Sequence, residues 1–329
     1  MKHKFDSKTI NNRIEWIDIA RGLGMIAVIL GHCIIPDLLT RIIFSWHMPL
    51  FFVISGLFFR DKTFKKLSVS KFKSCIKPYI ITCVAMTLLG CIKAKYYHDS
   101  IFSAFIYWIK ASLYGSGGEH LFNLPHIGAL WFLLAMFWGI LFFHFVLKFH
   151  YPIIPILILS GIGYYTRKFW LPLSIQAGLV SVLYIYFGYI LRQLNLLGLI
   201  LKLQVFPVIF SLWVYGLWKG CGRLYLVNNY FGMGIYDFIH SLIAVCLILN
   251  LSYFINKLGK IVQPIRYAGE NSLLFLCFHI LELNLFPWYT VVHGNHVYRK
   301  IFIFKLIYIY LASYSFEKVF FIRSLFSSK

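Results

Sequence analysis

Between Ile14 and Pro36 the chain reads IEWIDIARGLGMIAVILGHCIIP, an apolar run broken by Asp18, Arg21 and His32. These are an acid, a fixed cation and a base that titrates near neutral pH. A charge at a bilayer centre costs roughly 2.5–3.5 kcal/mol on insertion scales, so ionisable groups there face a protein interior and serve a purpose. On a helix the spacing from Arg21 to His32 leaves the two about 20° apart on one face, with about 16 Å of rise between them. Asp18, three residues before Arg21, falls on the same face. Arg21 is suited to guiding an anion or to pairing with Asp18, and the two roles are compatible. His32, tied to both on one polar stripe, is the foremost candidate for chemistry.

A second histidine follows on the next apolar segment. The link PDLLTR is too short for anything but an antiparallel hairpin, so His47 in SWHMPLFFVISG returns to nearly the depth of His32. Two imidazoles at one depth suggest a polar pocket opening outward; His47 is equally suited to starting a kinked helix ahead of Pro49. Near the end, GENSLLFLCFHILELNLF places Ser272, His279 and Glu282 on one helical face. There a carboxylate one turn from a histidine either fixes its tautomer or serves as a polar seam between helices. The remaining histidines lie at loops or helix ends without metal-ligand spacing, so no metal is expected. GSGGEH at 115–120 has no strand before it and reads as a flexible outer loop.

The elements that must hold these groups are membrane helices. Of 329 residues, 60% are hydrophobic, 19% aromatic and 13% charged, which is the composition of a polytopic membrane protein. The expected fold is an all-α transmembrane bundle of about ten helices, near 14–36, 41–59, 78–94, 130–148, 153–166, 174–191, 205–218, 236–255, 270–287 and 300–317. The stretch 95–129 reads as one long irregular connection containing an apolar piece, IFSAFIYWIKASLYG, suited to the interface. A single domain over 14–317, flanked by tails at 1–13 and 318–329, follows from this layout. The polar start MKHKFDSKTINNR does not read as a secretory signal. With the N-terminus inside, the inner segments hold about twice as many basic residues as the outer ones, and the loop RDKTFKKLSVSKFKSCIKP supplies most of that excess; both termini are then cytoplasmic.

The formal net charge of +21 is mostly this bias and attraction to anionic membrane lipid. Basic residues spread around a membrane protein with no soluble module exclude nucleic acid as a partner. The basic loop at 60–77 is suited to drawing in a polyanionic cytosolic donor. Seven cysteines without a C-x-x-C pair, most in apolar runs, read as small buried hydrophobes.

At RIEWIDIARGLGMIAVILGH followed by FSWHMPLFFVISGLFF, the chain closely resembles the integral-membrane acyltransferase-3 family, most of all its sugar O-acetyltransferases of the fucose 4-O-acetylase type. The family's Arg-x10-His element falls on Arg21 and His32. Fainter likeness continues through KFKSCIKPY, ALWFLLAMF, YIYFGYILR and GENSLLFLCFH. The resemblance implies a ten-helix enzyme of a bacterial cytoplasmic membrane. Such an enzyme takes an acyl group, usually acetyl from acetyl-CoA, to a hydroxyl on an envelope glycan, lipid-linked sugar or small molecule. It implies His32 and Asp18 as catalytic residues, and Arg21, Lys71, Lys73 and Lys77 as donor-binding ones. His47, Trp131, His279 and Glu282 are then assigned to the carbohydrate or glycolipid acceptor. Where the family often has arginine before the Pro-Tyr of the third helix, this chain has lysines, which bring charge without a bidentate fork.

Acyl transfer needs a base or an acyl carrier, and neutral imidazole at His32 is competent for either. The rival is a proton-coupled secondary transporter using the same Arg, His and Glu. Transporters commonly carry paired repeats, and RGLGMIAVILGH has no second copy in the chain.

Overall fold

The computed structural model describes residues 14–118 and 125–319. The tail expected at 1–13, all but the first two residues of the tail expected at 318–329, and His120 lie outside the described residues. The helices are Glu15–Gly31 (α1), Asp37–Phe44 (α2), His47–Leu57 (α3), Phe64–Lys71 (α4), Lys77–Tyr96 (α5) and Ile101–Tyr114 (α6). Next come Trp131–Val146 (α7), Ile153–Tyr165 (α8), Ile175–Gln193 (α9), Leu197–Ile200 (α10) and Phe206–Trp218 (α11). Ile235–Ile255 (α12), Gln263–Glu270 (α13), Ser272–Leu285 (α14), Trp288–Val291 (α15) and Val297–Lys318 (α16) complete the set. Among the described residues the strands are confined to Leu224–Tyr225 and Tyr230–Phe231, so the fold is all-α.

Each expected span coincides with a helix, and the differences are local. The basic stretch read as a loop is helical: α4 runs through a π-turn at Phe72–Ile76 directly into α5. The connection read as irregular contains α6, which Ser100 caps by accepting from the Ser103 amide at 3.2 Å and which Gly115 ends in the left-handed region. The second span breaks at Ser45–Trp46. Pro49 cannot donate to the Ser45 carbonyl and its ring crowds it, so α2 and α3 are separate segments. The first helix stops at Gly31, earlier than the apolar run suggests.

Among the described residues, five helical stretches are long and apolar enough to cross a membrane: Asp37–Leu57, Phe64–Tyr96, Gly128–Val146, Pro172–Gln193 and Ile235–Glu270. The shorter apolar helices Ile101–Tyr114, Leu203–Trp218 and Ser272–Leu285 accompany them. The protein is a multi-pass membrane protein.

The chain divides into two compact units. The first draws on Met1–Phe59, Tyr184–Leu224 and Phe231–Ser272. In it α1 packs against α3, α12 and α13, and α11 against α12. Two glycine pairs let backbones touch. A Cβ on Gly22 would strike the Ile265 carbonyl and one on Gly269 the Asp18 carbonyl, so α1 and α13 meet with nothing between them. Gly56 and Gly188 do the same for α3 and the end of α9. The second unit draws on Arg60–Leu183, Tyr225–Tyr230 and Leu273–Lys329. There α5 packs along α6, and α7 against α4, the π-turn and α8.

Candidate active site

Asp18 is buried, and its Oδ1 lies 3.4 Å from Nη1 of Arg21, whose side chain is 36% exposed. The base of α1 is fixed on α13 by the glycine contacts and by Arg266, which reaches Glu15 at 3.1 Å and Asn256 at 3.0 Å. The height of Arg21 along α1 is therefore set by backbone packing. Asp18, grouped with His32 in the sequence reading, contacts the guanidinium; fourteen residues, about 21 Å of helix, separate it from His32.

His32 is the residue that ends α1, and it is half-buried. Its Nδ1 lies 2.8 Å from the Val28 carbonyl, one of the acceptors that a helix end leaves without a backbone partner. A carbonyl oxygen only accepts, so Nδ1 carries the proton and, in the neutral ring, Nε2 carries the lone pair. His47, buried at the start of α3, repeats the device: its Nδ1 is 2.9 Å from the Ile43 carbonyl in the last turn of α2. Its ring meets Phe44 edge-on at 4.8 Å between centroids. Gly31 faces Phe44 and Ile43, and Gly24 faces Leu50 and Phe51, which fixes the antiparallel register and puts His47 level with Val28. His32 is then one helical turn beyond it, about 6 Å along the axis.

The second unit holds another buried group. His279 Nδ1 is 2.7 Å from Glu282 Oε1, and Lys305 Nζ from α16 is 3.2 Å from the same oxygen. The Trp288 indole donates to the other oxygen. All three charged or titratable side chains are buried. Sequence reading found His279 and Glu282 from their spacing but missed Lys305 and Trp288. The signal for Lys305 is an ammonium inside the apolar run IFIFKLIYIYL; nothing local marks Trp288.

Lys71 and Lys77 flank the π-turn, both half-buried, and Lys73 lies within it, exposed. Trp131 opens α7, buried, with its ring over Gly117. Beside the lysines a cavity of about 560 Å³ runs between α5 and α6, lined by Ile80, Val84, Leu88 and Phe105 among other apolar side chains. The remaining site residues thus fall into two groups: Asp18, Arg21, His32 and His47 in the first unit, and the three lysines, Trp131, His279 and Glu282 in the second.

One polar network of the first unit was not legible at all. Asp237 accepts from the Gly222 and Met233 amides, both at 2.7 Å, and Arg41 donates to the Cys221 and Leu217 carbonyls. This ties the segment after α11 to α2. Burial pushes the Cys221 thiol up, with Asp237 adding to the effect, so this cysteine is not poised as a thiolate nucleophile. His240, read as a helix-end residue, is buried in α12 with Nε2 donating to the Trp213 carbonyl at 2.9 Å, a packing role.

No curated protein and no solved structure matches the chain. A family profile does: the one described as an acyltransferase domain matches residues 14–318. That range spans both units and all the residues discussed above. The chain belongs to the acyltransferase-3 family of membrane acyltransferases.

Proposed function

We propose that the protein is an O-acetyltransferase of a bacterial cytoplasmic membrane, of the sugar-modifying branch of its family. It moves acetyl from cytosolic acetyl-CoA to a hydroxyl of an envelope glycan, lipid-linked sugar or small molecule. The observation that carries this reading is the His32 ring, held through Nδ1 on the Val28 carbonyl with its basic nitrogen turned away from that bond. In one route Nε2 takes the acceptor hydroxyl proton as oxygen attacks the thioester carbon; the C–S bond breaks and the leaving thiolate recovers the proton. In the other, Nε2 attacks the thioester carbon and the C–S bond breaks to release the thiolate; the hydroxyl oxygen then takes the acyl carbon as the N–C bond breaks, and its proton goes to the thiolate. Both use the same lone pair.

Arg21 lies about 16 Å of helix away from His32 and cannot stabilise an oxyanion there. It suits the phosphates of the donor, which the extended pantetheine arm separates from the thioester, and Asp18 orients its guanidinium. Lys71, Lys73 and Lys77 add cationic charge for the same polyanion. Trp131, His279 and Glu282 of the second unit are the acceptor-side group, and His47 of the first is assigned to the acceptor as well.

The experiment is to give inside-out vesicles acetyl-CoA labelled in the acetyl group. Label on acceptor material within the vesicle supports the reading. Label that never becomes covalently attached, or a solute that accumulates without transfer, overturns it.

A further inference from the structure

We propose that Lys305 is a positioning residue for acyl transfer, keeping the Glu282 carboxylate charged inside the bundle so that it holds His279 with its proton on Nδ1 and its lone pair on Nε2. The inference deepens the proposed function and rests on it, adding a second prepared imidazole in the acceptor-side group.

Lys305 is 1% exposed, in the middle of an apolar helix, and its ammonium lies 3.2 Å from Glu282 Oε1. That oxygen also takes the His279 Nδ1 proton at 2.7 Å, while the Trp288 indole occupies Oε2. The carboxylate thus receives donors from α14, α15 and α16. A buried carboxylate without a countercharge is unstable, and the nearest group able to supply one is the imidazole. With Lys305 present the charge is already balanced, so His279 is left neutral and its Nε2 basic. Without Lys305, the imidazole balances the carboxylate by taking a second proton, and the lone pair is lost until the pH is raised. Among the described residues, Tyr308 on α16 also feels the Glu282 charge, and from α5 Cys83 faces Cys277. Neither brings a positive charge.

A salt bridge that only ties α14 to α16 has a different signature. Its loss weakens the protein equally at every pH, whereas loss of a positioning charge is repaired by alkali. The test uses the full chain in vesicles, labelled acetyl-CoA and the acceptor material of the vesicles, with activity normalised to inserted protein. Lys305→Met is expected to lose roughly tenfold to a hundredfold at pH 7 and to recover most of that as pH rises, whereas Lys305→Arg keeps the wild-type profile. If Lys305→Met fails to insert, Lys305→Gln takes its place, since its amide still donates to Glu282 Oε1 but brings no charge; it is expected to show the same loss at pH 7 and the same recovery in alkali. A pH-independent loss in the inserted variant, or failure of both variants to insert, overturns the inference, while wild-type activity leaves the proposed function standing. A wild-type protein that transfers no label sinks the proposed function itself.

Discussion

His32 and His47 are held by the same device: each Nδ1 sits on the carbonyl of the residue four before it, at 2.8 Å and 2.9 Å, where a helix ends. At Val28 the imidazole takes up an acceptor left over at a helix terminus, and at Ile43 it joins the Trp46 amide on a shared one; in both the bond fixes the tautomer. The difference is access. His32 is half-buried and His47 is 4% exposed, so under the proposed function His32 is the ring of the two expected to meet substrate.

His32→Ala is expected to insert normally and to lose activity by about 10²–10⁴-fold, the usual share of a positioned acid–base group. The bond to the Val28 carbonyl is a single half-buried one at the C-terminal end of α1, so its loss lowers stability by about 1 kcal/mol. Transfer assays alongside quantification of inserted protein check this. Wild-type acetylation by the alanine variant removes His32 from the chemistry.

Arg21→Lys is expected to raise the donor concentration needed for half-maximal rate by about tenfold while the maximal rate changes little. Lysine keeps the charge but not the fork that matches phosphate oxygens. Asp18 is buried and still finds a cation three residues on, so protein levels stay near normal. A fall in protein level with unchanged donor dependence shows that Arg21 serves the Asp18 pair alone.

Gly269→Ala is expected to cost about 1–3 kcal/mol, because the new Cβ meets the Asp18 carbonyl, which is backbone and cannot turn aside. Since the same contact fixes the height of Arg21, weakened donor use accompanies the lower melting temperature. Thermal unfolding in detergent followed by a donor titration reads both. Gly118→Ala, where a Cβ meets nothing, is the control.

The bundle was legible in the sequence because membrane helices announce themselves by length and apolarity, and the first hairpin because its link is so short. The break at Ser45 was readable from Pro49. Other features were not. The basic stretch 60–77 has too little apolar content to read as membrane helix, yet it is propagated as helix through the π-turn from α5. The end of α1 at Gly31 has no local marker but Pro36, five residues on. His279 and Glu282 were found because one helical turn relates them; Lys305 was not, because its partner is on another helix and no sequence period links the two. Asp237 and Arg41 were missed for the same reason, since what they satisfy is backbone.

The acceptor side is expected to open outward beside α2, with the basic α4 segment facing the cytoplasm. Charge bias supplies the orientation: 60–77 is the most basic of the inner segments, and α2 follows directly on the far end of α1. Single cysteines in a cysteine-free background, labelled in intact cells with an impermeant thiol reagent, test it. Leu38, 59% exposed at the start of α2, is a suitable probe on one side. On the other side Lys66 is better than neighbouring Ser68, whose hydroxyl is buried, because an exposed position reports the compartment rather than the packing. Labelling at Leu38 and protection at Lys66 are the expected pair. The reverse pair places His32 on the cytosolic side, and the donor and the acceptor hydroxyl must then meet there without any passage of the acyl group through the bundle.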